Sequence, residues 1–130
     1  MGKWIKKQVI MKKLNYKSAG VDIDAGNEAV DRIKDGVKST FSSNVLTGLG
    51  SFGSLYNLTP IFKTYTNPVM VQSIDGVGTK TIIARKLKKF DTIGIDLLSA
   101  CANDILVMGA RPLTFLDYIA NDKLNPKIIE

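Results

Sequence analysis

The hexapeptide DGVGTK, Asp75 to Lys80, puts an acid, two glycines, a hydroxyl and an amine at the junction of a predicted strand and a predicted helix. Each type has a use there. The Asp75 carboxylate can hold a divalent cation, and Lys80 can pair with a phosphate. Gly76 lets backbone come close to a ligand, and the Thr79 hydroxyl can cap the helix that follows. This is not a Walker A loop, in which the lysine directly follows a glycine, because Thr79 separates Gly78 from Lys80. A second glycine cluster, GLGSFG, holds Gly48, Gly50, Ser51 and Gly53 and matches G-x-G-x-x-G. A dinucleotide fingerprint also needs a strand before it and a helix after it. Here a loop precedes and a strand is predicted to follow. A glycine loop over phosphates, whose free N–H groups attract anions, stays open as a reading. So does a plain surface loop.

The third group lies in DTIGIDLLSACANDILVMGARP, Asp91 to Pro112. Its helical part is apolar nearly all round, which predicts a buried helix. Yet it carries Asp96, Asn103 and Asp104. At about 100° per residue, Asp96 and Asn103 fall roughly 20° apart, two turns from each other, with Asp104 beside them. A buried carboxylate needs a partner or a metal, so one stripe of this helix is expected to face a polar site. The other reading has these acids capping backbone or pairing with lysines. With no His and one Cys, Cys101, a metal here must be a hard cation held by oxygen. The residues alone point to an anionic ligand plus such a metal.

The elements that must position these groups follow from periodicity. DIDAGNEAVDRIKDGVKSTF predicts a helix with Ala29, Ile33 and Val37 on one apolar stripe, Val30 and Phe41 beside it, and Asp22 or Asp24 as cap. SSNVLTGLGSFGS predicts a loop. LYNL, VMVQSI and RPLTFLDYIA predict strands, and IFKTYTNP a connection between two of them. Helices are predicted over Thr79–Lys89 and from Asp91-Thr92 to Met108, the latter stopped by Gly109. Asn125-Pro126 starts another, with Pro in the first turn. It has scarcely begun when the sequence ends at Glu130, which suggests a chain cut within a domain. The alternation predicts an α/β or α+β fold.

Bulk properties narrow the class. The chain has 130 residues, 45% apolar and 23% charged, enough for one domain. One cysteine allows no internal disulfide and suits a reducing, cytoplasmic setting. No apolar run reaches membrane-span length, and the start lacks the h-region of a signal peptide. The net charge is +6. Lys3, Lys6, Lys7, Lys12, Lys13 and Lys17 precede the first acid, Asp22, and the remaining twelve basic residues balance twelve acids. The charge thus belongs to a basic arm, residues 1–15, and not to a nucleic-acid-binding face; no membrane partner is expected, because no apolar run is long enough to span.

Taken in order, YKSAGVDIDAGN (Tyr16–Asn27), GLGSFG, DGVGTK, DTIGIDLLSACANDILVMGARP and FLDY (Phe115–Tyr118) resemble aminoimidazole ribonucleotide synthetase, also called phosphoribosylformylglycinamidine cyclo-ligase. The resemblance spans Tyr16 to Glu130. It implies residues 16–130 of an incomplete N-terminal domain with a mixed sheet, helices on one side, and a sheet that closes a β-barrel with its twin in a homodimer. It implies ATP-dependent ring closure of formylglycinamidine ribonucleotide to aminoimidazole ribonucleotide, with ATP and Mg²⁺ as cofactors. By motif, Lys17, Gly48, Gly50, Ser51 and Gly53 would contact nucleotide, joined by Gly76, Thr79 and Lys80. Asp75 and Asp104 would hold Mg²⁺, and Asp96 and Asn103 would line the cleft as the catalytic pair. Family members continue through a Gly-Gly-Glu segment and a C-terminal domain that are absent here, so this chain alone is expected to be inactive. Two alternatives stand beside this reading. One is a non-catalytic dimerisation fragment. The other is a relative of the selenophosphate synthetase or thiamine-monophosphate kinase type, which the GVDIDAGN string disfavours.

Overall fold

The computed structural model describes residues 15–130; of the basic arm, only Asn15 falls within them, with Lys17 just beyond it. Five α-helices follow one another: α1 (Ile23–Ser39), α2 (Thr59–Thr64), α3 (Lys80–Leu87), α4 (Ile93–Val107) and α5 (Pro126–Ile129). A 3₁₀ turn, Lys17–Ala19, precedes α1.

The helix ends have local causes. Asp22 lies in extended conformation and its side chain accepts from the Ala25 N–H at 3.2 Å, the N-cap arrangement. Asn125 does the same for Lys127 at 3.2 Å, with Pro126 at the first helical position. α4 ends as predicted at Gly109, whose φ is 73°. The Gly109 N–H donates to Leu106 O and the Ala110 N–H to Ile105 O, closing a Schellman motif. α3 closes the same way, but its left-handed residue is Lys88, at φ 53°.

Two helix pairs pack, α1 against α5 and α3 against α4. The predicted stripe of α1 is its covered side: Ala29 is buried, and Ile33 and Val37 are half-buried. Val30 and Phe41, expected beside that stripe, are exposed instead. Arg32 ties α1 to α5, reaching Glu28 and Glu130 at 2.9 Å each.

Three sequence expectations are corrected. The mixed sheet is not formed among the described residues; the single β-bridge, Val45 with Tyr56, falls in the predicted LYNL strand. VMVQSI and RPLTFLDYIA form no ladder. Half-buried Val71 and Ser73 still alternate with exposed Met70, Gln72 and Ile74, the period of a strand. Every residue from Arg111 to Ala120 is exposed. A strand's N–H and C=O groups need a neighbouring edge about 4.8 Å away, and no described segment supplies one. Second, α4 is not a buried helix. Cys101 is buried, whereas Ile95, Leu98, Leu106 and Val107 are exposed because, among the described helices, α3 alone packs closely on it. Third, part of the predicted connection is helix α2, whose Thr59 N–H is taken by Asn57 Oδ1 at 3.0 Å and whose first turn holds Pro60.

Candidate functional site

The DGVGTK turn lies along α4 and is tied to it at two points. Upstream, Ser73 Oγ donates to Asp104 Oδ2 at 3.0 Å. Downstream, Lys80 Nζ donates to Asp96 Oδ1 at 3.0 Å, forming an ion pair. Asp96 and Asp104 are eight residues apart, roughly 12 Å along a helix axis. Residues 73 to 80 therefore run antiparallel to α4 across about two turns.

Between these ties the turn is shaped by its own backbone. Asp75 Oδ1 accepts the Gly76 N–H at 2.7 Å, and the residue is exposed. Gly78 takes φ 66°, a left-handed value that favours glycine. Thr79 does not cap α3: it is already helical, at φ −66°, and an N-cap side chain needs an extended backbone to reach its N–H groups. The neighbouring Thr81 hydroxyl donates to Gly78 O at 2.8 Å instead.

Beside Lys80 and Asp96 a cleft of about 220 Å³ opens between α3 and α4. Lys89 and Thr92 add polar groups to its wall, and Ile83 and Leu87 apolar ones. A larger concavity, about 520 Å³, lies along α1 by Asp24, Asn27, Glu28, Asp31 and Arg32. None of the sequence-predicted site residues lines it, whereas Lys80 and Asp96 line the smaller cleft.

The other predicted residues stand apart from this cluster. Gly48, Gly50, Ser51 and Gly53 occupy an exposed loop. Its base is pinched shut by Leu46 N–H to Leu55 O (2.8 Å), Asn57 N–H to Asn44 O (2.7 Å) and Leu55 N–H to Thr47 Oγ1 (2.9 Å). Gly50, at φ 93°, turns the chain at its tip. Among the described residues no hydrogen bond or ion pair joins this loop to Lys80, Asp96 or Asp104. Lys17 is paired with Asp22 at 2.9 Å. That contact raises the lysine and lowers the Asp22 carboxyl from their ordinary values; hydrogen bonding to Lys17 is the main cause for Asp22, followed by the Ala25 N–H. Asn103 is exposed beside Asp104. Ser73 is the site residue that sequence reasoning missed. Nothing in VMVQSI marks a serine as partner of an acid 31 positions on.

Similarity to known proteins identifies the family. Residues 60–130 match the family described as AIR synthase related protein, N-terminal domain. The chain belongs to that family. It is 56% identical over 115 residues to a protein of Brevibacillus brevis named phosphoribosylformylglycinamidine cyclo-ligase, covering 88% of this chain and 33% of the relative. A protein of the same name in Carboxydothermus hydrogenoformans is 56% identical over 117 residues, 90% of this chain and 34% of the relative. The trifunctional purine biosynthetic protein adenosine-3 of Chironomus tentans is 50% identical over 125 residues, 96% of this chain and 9% of that protein. The chain thus spans about a third of the length of the cyclo-ligases it matches. The AIR synthase related domain includes both DGVGTK and α4, the two segments the structure ties together.

Proposed function

We propose that this chain is the N-terminal part of a phosphoribosylformylglycinamidine cyclo-ligase, an enzyme of purine biosynthesis that closes an imidazole ring at the expense of ATP. The observation that supports the reading is the pair of contacts Ser73–Asp104 and Lys80–Asp96, which hold the two ends of the segment carrying DGVGTK against α4. Turnover is assigned to the longer protein, of which this chain supplies a nucleotide-holding portion.

The residues suit Mg²⁺ and a phosphate chain. Mg²⁺ takes oxygen ligands and is usually held by one or two carboxylates plus substrate phosphates. Asp75 and Asp104 each keep one carboxylate oxygen outside their protein hydrogen bonds. When bound, Mg²⁺ supplies charge neutralisation at the transferring phosphoryl group. The chain's own groups position. Lys80 offers N–H donors to phosphate oxygen, the glycine loop offers backbone N–H groups, and Asn103 lines the same helix face. Formylglycinamidine ribonucleotide is the proposed substrate, and a cytoplasmic location follows from the pathway. Among the described residues no helix is long and apolar enough to cross a membrane.

Calorimetry with Mg–ATP tests the reading. Saturable binding that needs the metal is expected. Absence of heat at millimolar nucleotide would remove the nucleotide assignment from this chain. A second reading, a pairing module without turnover, is favoured by the unpartnered VMVQSI and RPLTFLDYIA segments. It predicts association without nucleotide binding.

A further inference from the structure

The Lys80–Asp96 pair bears on what Asp96 does. Lysine is a point charge on a flexible four-carbon stem, and holding its ammonium in one place costs rotamer entropy. Here the ammonium is held at 3.0 Å by Oδ1 of a half-buried carboxylate. Asp96 itself sits in the first turn of α4, the helix fixed by packing against α3. Lys80 opens α3, so the pair lines the cleft between the two helices. The ammonium has three donors and Asp96 takes one of them. Two remain, on a side chain that is 61% exposed.

We infer that Asp96 is a positioning residue for Lys80, and that the pair presents the two remaining N–H donors of the ammonium to a phosphate oxygen at the α3–α4 cleft. This rests on the nucleotide reading above but assigns Asp96 a different task from acid–base chemistry. Its observed contact is with the Lys80 ammonium, and that geometry serves aim. The phosphate could come from the nucleotide's polyphosphate chain or from the phosphate monoester of a ribonucleotide substrate. Lys80 would recognise either by the same charge-assisted hydrogen bond.

The test measures the acylation rate of Lys80 by a water-soluble succinimidyl ester, read by peptide mass spectrometry on the 130-residue chain. Inorganic tripolyphosphate and ribose 5-phosphate serve as separate protecting probes. In the unsubstituted chain, protection by one of them is expected, and which one identifies the phosphate source. In Asp96→Ala, Lys80 is expected to acylate several-fold faster and to lose several-fold of that protection, while helix content stays constant. Asp96→Asn, whose amide oxygen still accepts a hydrogen bond, should fall between. Unchanged Lys80 reactivity in Asp96→Ala would overturn the inference, as would protection that strengthens there, which marks Asp96 as a mere competing charge. If Mg–ATP binds by calorimetry but neither probe protects Lys80, the inference fails while the nucleotide reading stands. If Mg–ATP does not bind at all, both fall.

Discussion

At Asp104 the two carboxylate oxygens have different neighbours. Oδ2 accepts from Ser73, and Oδ1 makes no comparable bond among the described residues. A hydrogen-bonded second oxygen orients a ligating carboxylate, and losing such support typically costs ten- to a hundredfold in metal affinity. Ser73→Ala is therefore expected to weaken Mg–ATP binding by about tenfold, and Asp104→Asn, which removes the ligand charge itself, by more. Unchanged affinity by calorimetry would take Asp104 out of the site. At Lys17–Asp22 the expectation concerns pH. The folded Asp22 carboxyl is lowered, so its contribution is complete above the ordinary Asp value of about 3.9 and is lost as pH falls through the lower folded value. The Lys17 contribution has the opposite sign. It is complete below the ordinary lysine value and is lost as pH rises through the raised folded one. Protection of the Ala25 amide from exchange should thus decline at the acid end. Asp22→Asn keeps a capping oxygen and should flatten that decline; an identical acid profile in this variant would exclude Asp22 as the titrating group.

Among the elements, α3 ends under strain that α4 avoids. Both close with the same pair of hydrogen bonds, but α4 uses Gly109 where α3 uses Lys88 at φ 53°. A left-handed residue with a Cβ costs about 1–2 kcal/mol relative to glycine. Lys88→Gly is expected to stabilise the chain by about 1 kcal/mol, raising the thermal midpoint by about 4 °C or more. A lowered midpoint would mean that the Lys88 side chain contributes more than its backbone costs. The same comparison explains why α3 can carry Lys80 reliably despite being only eight residues long. Its stop is hydrogen-bonded, its start is pinned by Lys80–Asp96, and Ala84 is buried against its neighbour.

For the whole molecule, the question is what covers the apolar surface. The accessible surface is 12088 Å², against about 6,800 Å² for a compact monomer of this mass. Among the described residues only Ala29, Ala84 and Cys101 are buried, all small, while Val69, Ile74, Leu116 and Tyr118 are among the large side chains left exposed. Unpaired strand-like segments and open apolar faces seek partners. The family resemblance implies a barrel closed across two subunits, which removes such edges. Light scattering should find a homodimer at micromolar protein, and raising the salt should not split it, because an apolar interface is little screened. A clean monomer would refute pairing through these segments. Dissociation by salt alone would shift the contact to charged groups such as the lysine-rich arm.

What the sequence by itself determined lies within a few residues of its cause. Asp22 and Asn125 cap, Pro126 starts and Gly109 stops, because each acts on backbone groups within one turn. The α1 stripe through Ala29, Ile33 and Val37 was legible for the same reason. The failures have a shared cause. VMVQSI and RPLTFLDYIA have the composition of strands, but a strand is completed by another strand, and none is offered among the described residues. α4 has the composition of a buried helix, but burial depends on what packs over it. Thr79 looked like a cap and is already helical. Only the tertiary structure decided that Ser73 meets Asp104 and that Lys80 meets Asp96, across 31 and 16 positions of chain. Those contacts are set by how α3 and the segment before it lie along α4, and side-chain chemistry at either end is compatible with many other partners.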